Sequence, residues 1–162
     1  MTVATDILRT WRRPRAVIRE KLAAGVREDR ALAVIMGAGA LLFVAQWPIL
    51  SRAAYLDPET PLEARLGGAL MACLFVLPLL GYFVAQISHL IARLFGGKGS
   101  AFGARLALFW ALMAVTPAML MQGLLAGFLG QAPVVIGAQL AVLAGFLWMW
   151  TSMLVEAERN VG

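Results

Sequence analysis

The stretch ALAVIMGAGALLFVAQWPILS, residues 31–51, decides the fold because it runs for 21 positions without a charged residue. A helix of that length, at 1.5 Å per residue, spans about 30 Å, which is the thickness of the hydrocarbon layer of a bilayer. Three further apolar stretches follow it. The sequence therefore predicts an all-α, polytopic membrane protein with about four transmembrane helices, placed at about residues 31–51, 66–95, 106–129 and 134–155.

Composition agrees with a membrane protein and argues against a nucleic-acid binder. Hydrophobic residues make up 61% of the chain and charged residues 14%, against roughly 45–50% and about 25% for an ordinary soluble domain. The sequence pI of about 10.4 could suit a nucleic-acid partner. However, eight of the fourteen basic residues precede Ala31, which is typical of a cytoplasmic flank beside the first span. We therefore expect membrane lipids and no nucleic acid as partners.

The basic residues also assign the two sides of the membrane. The connection between the second and third spans holds three of them and the C-terminal tail holds one, whereas Arg52 and Arg65 alone lie on the other side. The side richer in lysine and arginine is the cytoplasmic one. We therefore expect both termini in the cytoplasm, with residues 1–30 a basic cytoplasmic segment, 31–155 the four-helix transmembrane domain and 156–162 a cytoplasmic tail.

The N-terminal segment has the pattern of an amphipathic helix interrupted or restarted at Pro14. At 100° per residue its apolar side chains fall in one sector, namely Ile7, Leu8, Trp11, Ile18, Leu22 and Val26. Arginines occupy the opposite face. Such a helix either lies among the headgroups of an anionic leaflet or packs on the cytoplasmic surface of the protein itself. The candidate lipid or partner contacts are Trp11, Arg12, Arg13, Arg15, Arg19 and, from the second connection, Lys98.

One set of polar residues follows a single helical face near the cytoplasmic end of the second span. Gln86, His89 and Arg93 are spaced three and four residues apart. This polar seam would contact lipid headgroups, a ligand or a partner; the alternative is hydrogen bonding to neighbouring helices or extension of the side chains to the interface.

Groups that carry chemistry are scarce. None of the nine acidic residues lies inside a predicted span, and the single cysteine, Cys73, lies within one. We find no Ser, His and Asp set and no metal-ligand spacing. The sequence therefore predicts no catalytic residue, no cofactor and no metal, and we expect that the chain is not an enzyme.

Glycines and prolines predict how the spans pack and bend. Small residues at multiples of four positions let helix backbones approach closely in lipid, and on that basis we expect Gly123, Gly127, Gly137 and Gly145 to lie in helix contacts. Pro78 and Pro117 predict kinks in the second and third spans. Gly96 should end the second helix and Ser100 should cap the third.

A long apolar helix, the loop GGKGS at residues 96–100 and a helix with a central Pro117 together resemble the Yip membrane family, the Ypt/Rab-interacting proteins. The likeness covers roughly residues 30–117, and the start Trp11-Arg12-Arg13-Pro14 is similar in style to that of bacterial members. The resemblance implies a helical bundle with a cytoplasmic N-terminus that serves membrane organisation or trafficking through protein partners. Two departures stand out: the family usually has a fifth span, and twelve arginines against two lysines are typical of a bacterial inner-membrane protein without the family's small GTPase partners.

Three functions are compatible with these observations. The leading hypothesis is a non-enzymatic scaffold or adaptor that binds other membrane proteins, itself or anionic lipid. The second is a small oligomeric channel or transporter with Gln86, His89 and Thr116 along a polar path. The third is an accessory subunit of a larger membrane complex.

Overall fold

Helices account for nearly all of residues 2–159, which are the residues that the computed structural model describes. In chain order they are Val3–Thr10 (α1), Pro14–Ala23 (α2), Glu28–Leu56 (α3), Leu62–Met71 (α4), Leu77–Leu94 (α5), Ala101–Leu129 (α6) and Pro133–Arg159 (α7). A π-helical turn, Ala72–Val76, joins α4 to α5, so that Leu62–Leu94 forms one continuous span. This confirms the predicted all-α polytopic fold.

Four helices are long and apolar enough to cross a membrane: α3, the joined α4 and α5, α6, and α7. They fit an integral membrane protein, and their number agrees with the prediction. The helices exceed the predicted spans at most of their ends. In particular, α3 continues through Pro48 to Leu56, so only residues 57–61 remain outside the helices where residues 52–65 were expected to form a connection.

The C-terminal end differs from the expected solvated tail. Helix α7 continues to Arg159, and residues 160–162 lie outside the described part of the chain. Glu156 and Glu158, which were expected in water, are both only 6% exposed. Because a buried carboxylate is costly unless it is paired, their burial implies specific partners, which are described below.

The ends of α5 and α6 follow the predicted capping pattern. Gly96, just beyond α5, adopts a positive φ of 88°, a conformation that glycine takes at little cost. The hydroxyl of Ser100 accepts a hydrogen bond from the backbone N–H of Gly103 at 3.1 Å. The short loop between these two residues therefore turns the chain back on one side of the bundle.

Helix α6 is the central element of the bundle. It packs against α3, α5 and α7, and 15 of its 29 residues are buried. A Cβ placed on Gly123 would collide with the carbonyl oxygen of Ala45, and one on Gly127 would meet Pro48. Gly123 and Gly127 therefore lie where α3 and α6 come into backbone contact.

The two glycines of α7 lie elsewhere. Gly145 faces the ring of Trp11 and not another long helix, whereas a Cβ on Gly137 would meet nothing within 4 Å. Among the described residues, Gly137 therefore has none of the helix contacts that its spacing predicted.

The two prolines that were predicted to bend helices, Pro78 and Pro117, lie where the regular hydrogen bonding of the helix backbone is interrupted. Pro117 has no N–H to donate to the carbonyl of Met113, four residues earlier. The hydroxyl of Thr116 donates to that carbonyl instead, at 2.8 Å. Pro78 is the second residue of α5, one residue beyond the π-helical turn. Pro78 thus lies beside a change of helix type, whereas α6 continues through Pro117 to Leu129, and the two kinks stay predictions.

Replacing Gly123 with alanine tests the backbone contact between α3 and α6. We expect Gly123→Ala to lower the free energy of unfolding by about 1–3 kcal/mol, because a methyl group forced into a closely packed contact displaces its neighbours. The measurement is the midpoint of helix loss in a detergent denaturation series, followed by circular dichroism. The matched control is Gly137→Ala, where the methyl group meets open space; equal midpoints for the two variants would contradict the assignment.

Candidate functional site

The two N-terminal helices form a hairpin that packs on one end of the bundle. Helix α2 packs against α7 and α6, and α1 contacts α6. Val17 and Ile18 are 1% and 0% exposed. The apolar face is therefore buried against the protein, as in the second of the two interpretations, although Leu8 and Val26 remain exposed. One end of the bundle holds this hairpin, the 96–100 loop and the end of α7. We call this end the basic side.

Trp11 holds the turn of the hairpin. Its indole N–H donates a hydrogen bond to the carbonyl oxygen of Ala114 in α6 at 2.9 Å, and its ring lies against Gly145 of α7. The preceding residue, Thr10, accepts a hydrogen bond from the indole N–H of Trp110 at 2.9 Å. Trp11, which the sequence predicts as a lipid or partner contact, makes these internal contacts, and they fix where the hairpin turn lies. Its contact with lipid or a partner stays a prediction.

Ion pairs connect the rest of the hairpin to itself and to the bundle. The ammonium group of Lys21 lies 3.0 Å from Asp6 and 3.7 Å from the centre of the Trp110 ring. The guanidinium of Arg9 lies 2.6 Å from Glu20 and holds the pKa of that carboxyl below its usual value. Across the interface with α7, Arg19 reaches Glu156 at 2.8 Å.

Every acidic residue described on the basic side has a basic partner in the same chain. The pairs are Asp6–Lys21, Glu20–Arg9, Glu28–Arg105, Asp29–Arg27, Glu156–Arg19 and Glu158–His89. Three arginines at the hairpin turn, Arg12, Arg13 and Arg15, are exposed. Within residues 2–159 their guanidinium groups have neither an ion pair nor a hydrogen bond, so their charges can interact with something outside the protein.

A cavity of about 390 Å³ lies between these arginines and the outer face of α7. Its polar lining consists of Arg12, Arg13, Arg15, Arg19 and Ser152, with Trp148 beside them. Trp148 is half-exposed on a helix that is long and apolar enough to face lipid. Guanidinium groups are pure donors that match phosphate and carboxylate oxygens in pairs. This arginine cleft, as we name it, therefore fits an anion.

Glu158 makes a second polar cluster on the basic side. One carboxylate oxygen lies 2.7 Å from Nδ1 of His89, and the other accepts a hydrogen bond from the backbone N–H of Gly99 at 3.1 Å. The backbone N–H of Lys98 donates to the carbonyl of Glu158 at 2.9 Å. This cluster ties the 96–100 loop to the end of α7 and leaves the side chain of Lys98 outside the arginine cleft.

The predicted polar seam is not assembled. His89 is buried against Glu158, whereas Gln86 and Arg93 are exposed on α5. Sequence reasoning missed Glu156 and Glu158, since acidic residues at the end of a span ordinarily face water. The signal that could have found them was His89 near the same side, because a histidine near the end of an apolar helix favours a polar partner.

Comparisons with known proteins leave the function to be argued from this geometry. No protein-family model, curated protein or solved structure matches the chain. The resemblance to the Yip family therefore stays a prediction.

Removing the Trp11 side chain should release the hairpin from the bundle. We expect Trp11→Ala to cost about 3 kcal/mol of docking free energy, which corresponds to a roughly hundredfold larger released population. The measurement is the rate of limited tryptic cleavage after Arg12 and Arg15 in detergent. Leu8→Ala is the control, because Leu8 is 70% exposed and its loss should leave the rate unchanged. An unaltered rate for Trp11→Ala would show that Trp11 does not hold the hairpin.

Removing the Glu158 carboxylate should loosen the 96–100 loop. Glu158→Ala leaves His89 and the N–H of Gly99 without their acceptor, at a cost of about 1–3 kcal/mol, and amide exchange in the loop should become roughly tenfold faster or more. Hydrogen–deuterium exchange followed by mass spectrometry measures this. Glu158→Gln keeps an acceptor and should lose less, and Arg159→Ala, at an exposed position, should match the unaltered protein. Equal exchange in all three variants would refute the assignment.

Proposed function

We propose that this chain is a non-enzymatic membrane scaffold that binds the phosphate groups of anionic phospholipids through its arginine cleft and thereby serves membrane organisation. The observation that carries the proposal is the set Arg12, Arg13 and Arg15, whose side chains are exposed and have no partner among the described residues. They line a cavity beside the half-exposed Trp148. An arginine guanidinium binds phosphate oxygens in pairs and is more weakly hydrated than an ammonium group.

The distribution of charge supports a cytoplasmic orientation for the end of the bundle that holds this cleft. Twelve of the fourteen basic residues belong to the basic side and two, Arg52 and Arg65, to the other. We therefore place the basic side in the cytoplasm of a bacterial cell with the chain in the inner membrane, since lysine and arginine accumulate on the cytoplasmic side of spans. The inner leaflet of such a membrane supplies anionic headgroups.

The ion pairs favour lipid over a second copy of the chain as the source of the anion. The carboxylates described on the basic side are all engaged within the chain, in pairs such as Lys21–Asp6 and Arg19–Glu156. A second copy that approached with the same face would therefore offer no unpaired carboxylate to the arginines. Binding to other membrane proteins stays a prediction, which co-purification from native membranes would examine.

The surroundings of the proposed polar path favour the scaffold over a channel or transporter. Gln86 is exposed on α5, His89 is paired with Glu158, and Thr116 donates to the carbonyl of its own helix at Met113. The three side chains point to separate surroundings, so they do not support a shared path. The accessory-subunit hypothesis also stays a prediction, which stable co-migration with a larger complex in mild detergent would support.

Exchanging the cleft arginines for glutamine tests the proposal directly. We expect a variant with Arg12, Arg13 and Arg15 all changed to glutamine to lose its selectivity for phosphatidylglycerol over phosphatidylcholine. Arg19 is kept because it is the partner of the buried Glu156. Each basic residue near an anionic surface contributes about 1 kcal/mol, so each lost contact should lower the selectivity about fivefold. The measurement is the ratio of the two lipids retained after delipidation and re-equilibration with an equimolar mixture, determined by mass spectrometry.

The control removes the same charge from the same side but outside the cleft. It changes Arg30, Arg93 and Lys98 to glutamine, all of which are exposed. We expect this variant to keep most of its selectivity. Equal losses in the two variants would mean that overall charge, and not the cleft, attracts the lipid, and that outcome would overturn the proposal.

A further inference from the structure

Contacts between the long helices define the edges of the layer that would lie in lipid hydrocarbon. On the basic side, Arg105 at the start of α6 pairs with Glu28 at the start of α3. On the opposite side, Arg52 donates to the carbonyl oxygens of Gly127 and Phe128 at 3.4 and 3.2 Å. The charge-free part of α3 between Arg30 and Arg52 measures about 32 Å at 1.5 Å per residue. That length matches an apolar layer of about 30 Å.

The hairpin turn lies well inside this layer. Trp11 contacts Ala114, nine residues beyond Arg105 along α6, which places it about 13 Å from the edge. It also lies against Gly145, eleven residues before Glu156 along α7, at a depth of about 16 Å. Gly103 of α6 lies against Ala157 of α7. Arg105 and Glu156, which mark the edge of the apolar layer on these two helices, therefore lie at similar heights. Two independent contacts therefore give a similar depth.

The arginines at the turn also lie inside the apolar layer. Arg13 precedes Arg19 by six residues along α2 and so lies about 9 Å deeper, while Arg19 pairs with Glu156 at the edge. Phosphate groups lie a further distance of about 5–7 Å outside the apolar layer. An arginine side chain is shorter than two turns of helix, about 11 Å, so Arg13 does not reach an undisturbed phosphate plane by extending alone.

A charged group held at such a depth brings water and lipid headgroups toward it, because the local thinning of the bilayer costs less than exposing the charge to hydrocarbon. We infer that the arginine cleft draws a phospholipid phosphate, with its water, into the apolar layer beside α7, and that the leaflet on the basic side is thinned there. This inference rests on the proposed function, because the same arginines bind the phosphate, and it adds the depth at which they do so. The ligand is the phosphodiester group of a membrane phospholipid.

Two labelled positions give opposite results for a thinned and an undisturbed leaflet. Trp148, in the cleft, lies eight residues from Glu156, at a depth of about 12 Å, and Leu32, on α3, lies four residues from Glu28, at about 6 Å. Leu32 is 45% and Trp148 49% exposed. In an undisturbed bilayer a nitroxide on the deeper residue must collide less often with a water-soluble nickel chelate than one on the shallower residue.

The experiment uses the full chain in phospholipid vesicles and phosphate-free buffer, with Cys73→Ala as background and a nitroxide on either Trp148→Cys or Leu32→Cys. We expect the order of collision rates to be reversed, so that the ratio of the rate at position 148 to the rate at position 32 exceeds one. Changing Arg12 and Arg13 to glutamine should return the ratio to below one. A ratio below one with both arginines present would overturn the inference.

Two lipid compositions separate this inference from the proposed function. In vesicles of phosphatidylcholine alone the reversal should persist, because the arginines draw the phosphate inward whatever the net charge of the lipid. If the reversal persists there while the chain shows no selectivity for anionic lipid, the proposed function is refuted and the inference stands. In galactolipid vesicles, which carry no phosphate, the reversal should be lost. Its persistence in galactolipid would show that water alone surrounds the arginines and would overturn the assignment of a lipid phosphate.

Discussion

The rest of the structure depends on the backbone contact between α3 and α6. Gly123 and Gly127 leave no side chain between α6 and the carbonyl oxygen of Ala45 or the ring of Pro48, and close contact of this kind replaces the hydrophobic drive that lipid removes. With one side of α6 fixed in this way, its other side presents Trp110 and the carbonyl of Ala114 to the hairpin. The position of the arginines follows from that arrangement.

In the hairpin, apolar contacts and indole hydrogen bonds hold the helices on the bundle, whereas the exposed charges add little to stability. Exposed ion pairs such as Arg9–Glu20 contribute little to stability, whereas the burial of Val17 and Ile18 and the two indole hydrogen bonds hold the helices in place. The arginines at the turn are therefore not needed to keep the hairpin docked. These arginines can therefore face the outside of the protein without any loss of the contacts that hold the fold.

The sequence predicts the spans well because hydrocarbon thickness sets their length, and a charge-free run such as residues 31–51 is long enough to cross that layer as a helix. It predicts the hairpin less well, since Ile18 and Trp11 form an apolar face that suits a headgroup layer and a protein groove equally. Which of the two accepts it depends on Ala114, which lies 103 residues beyond Trp11, and on Gly145, which lies further along the chain. The burial of Glu158 was likewise not predicted, because His89 signals a polar partner but the sequence does not show which residue of another helix lies at its height.

The order of synthesis adds a consequence to the hairpin's position. The hairpin leaves the ribosome before the groove that accepts it, because that groove consists of α6 and α7, which follow the hairpin in the chain. The hydrogen bond from Trp11 closes a loop of 103 residues and the pair Arg19–Glu156 one of 137. Until α7 is complete, the amphipathic N-terminal segment has no groove to occupy, so the nascent chain exposes its apolar face and its arginines together. Docking of the hairpin therefore waits until α7 has been made.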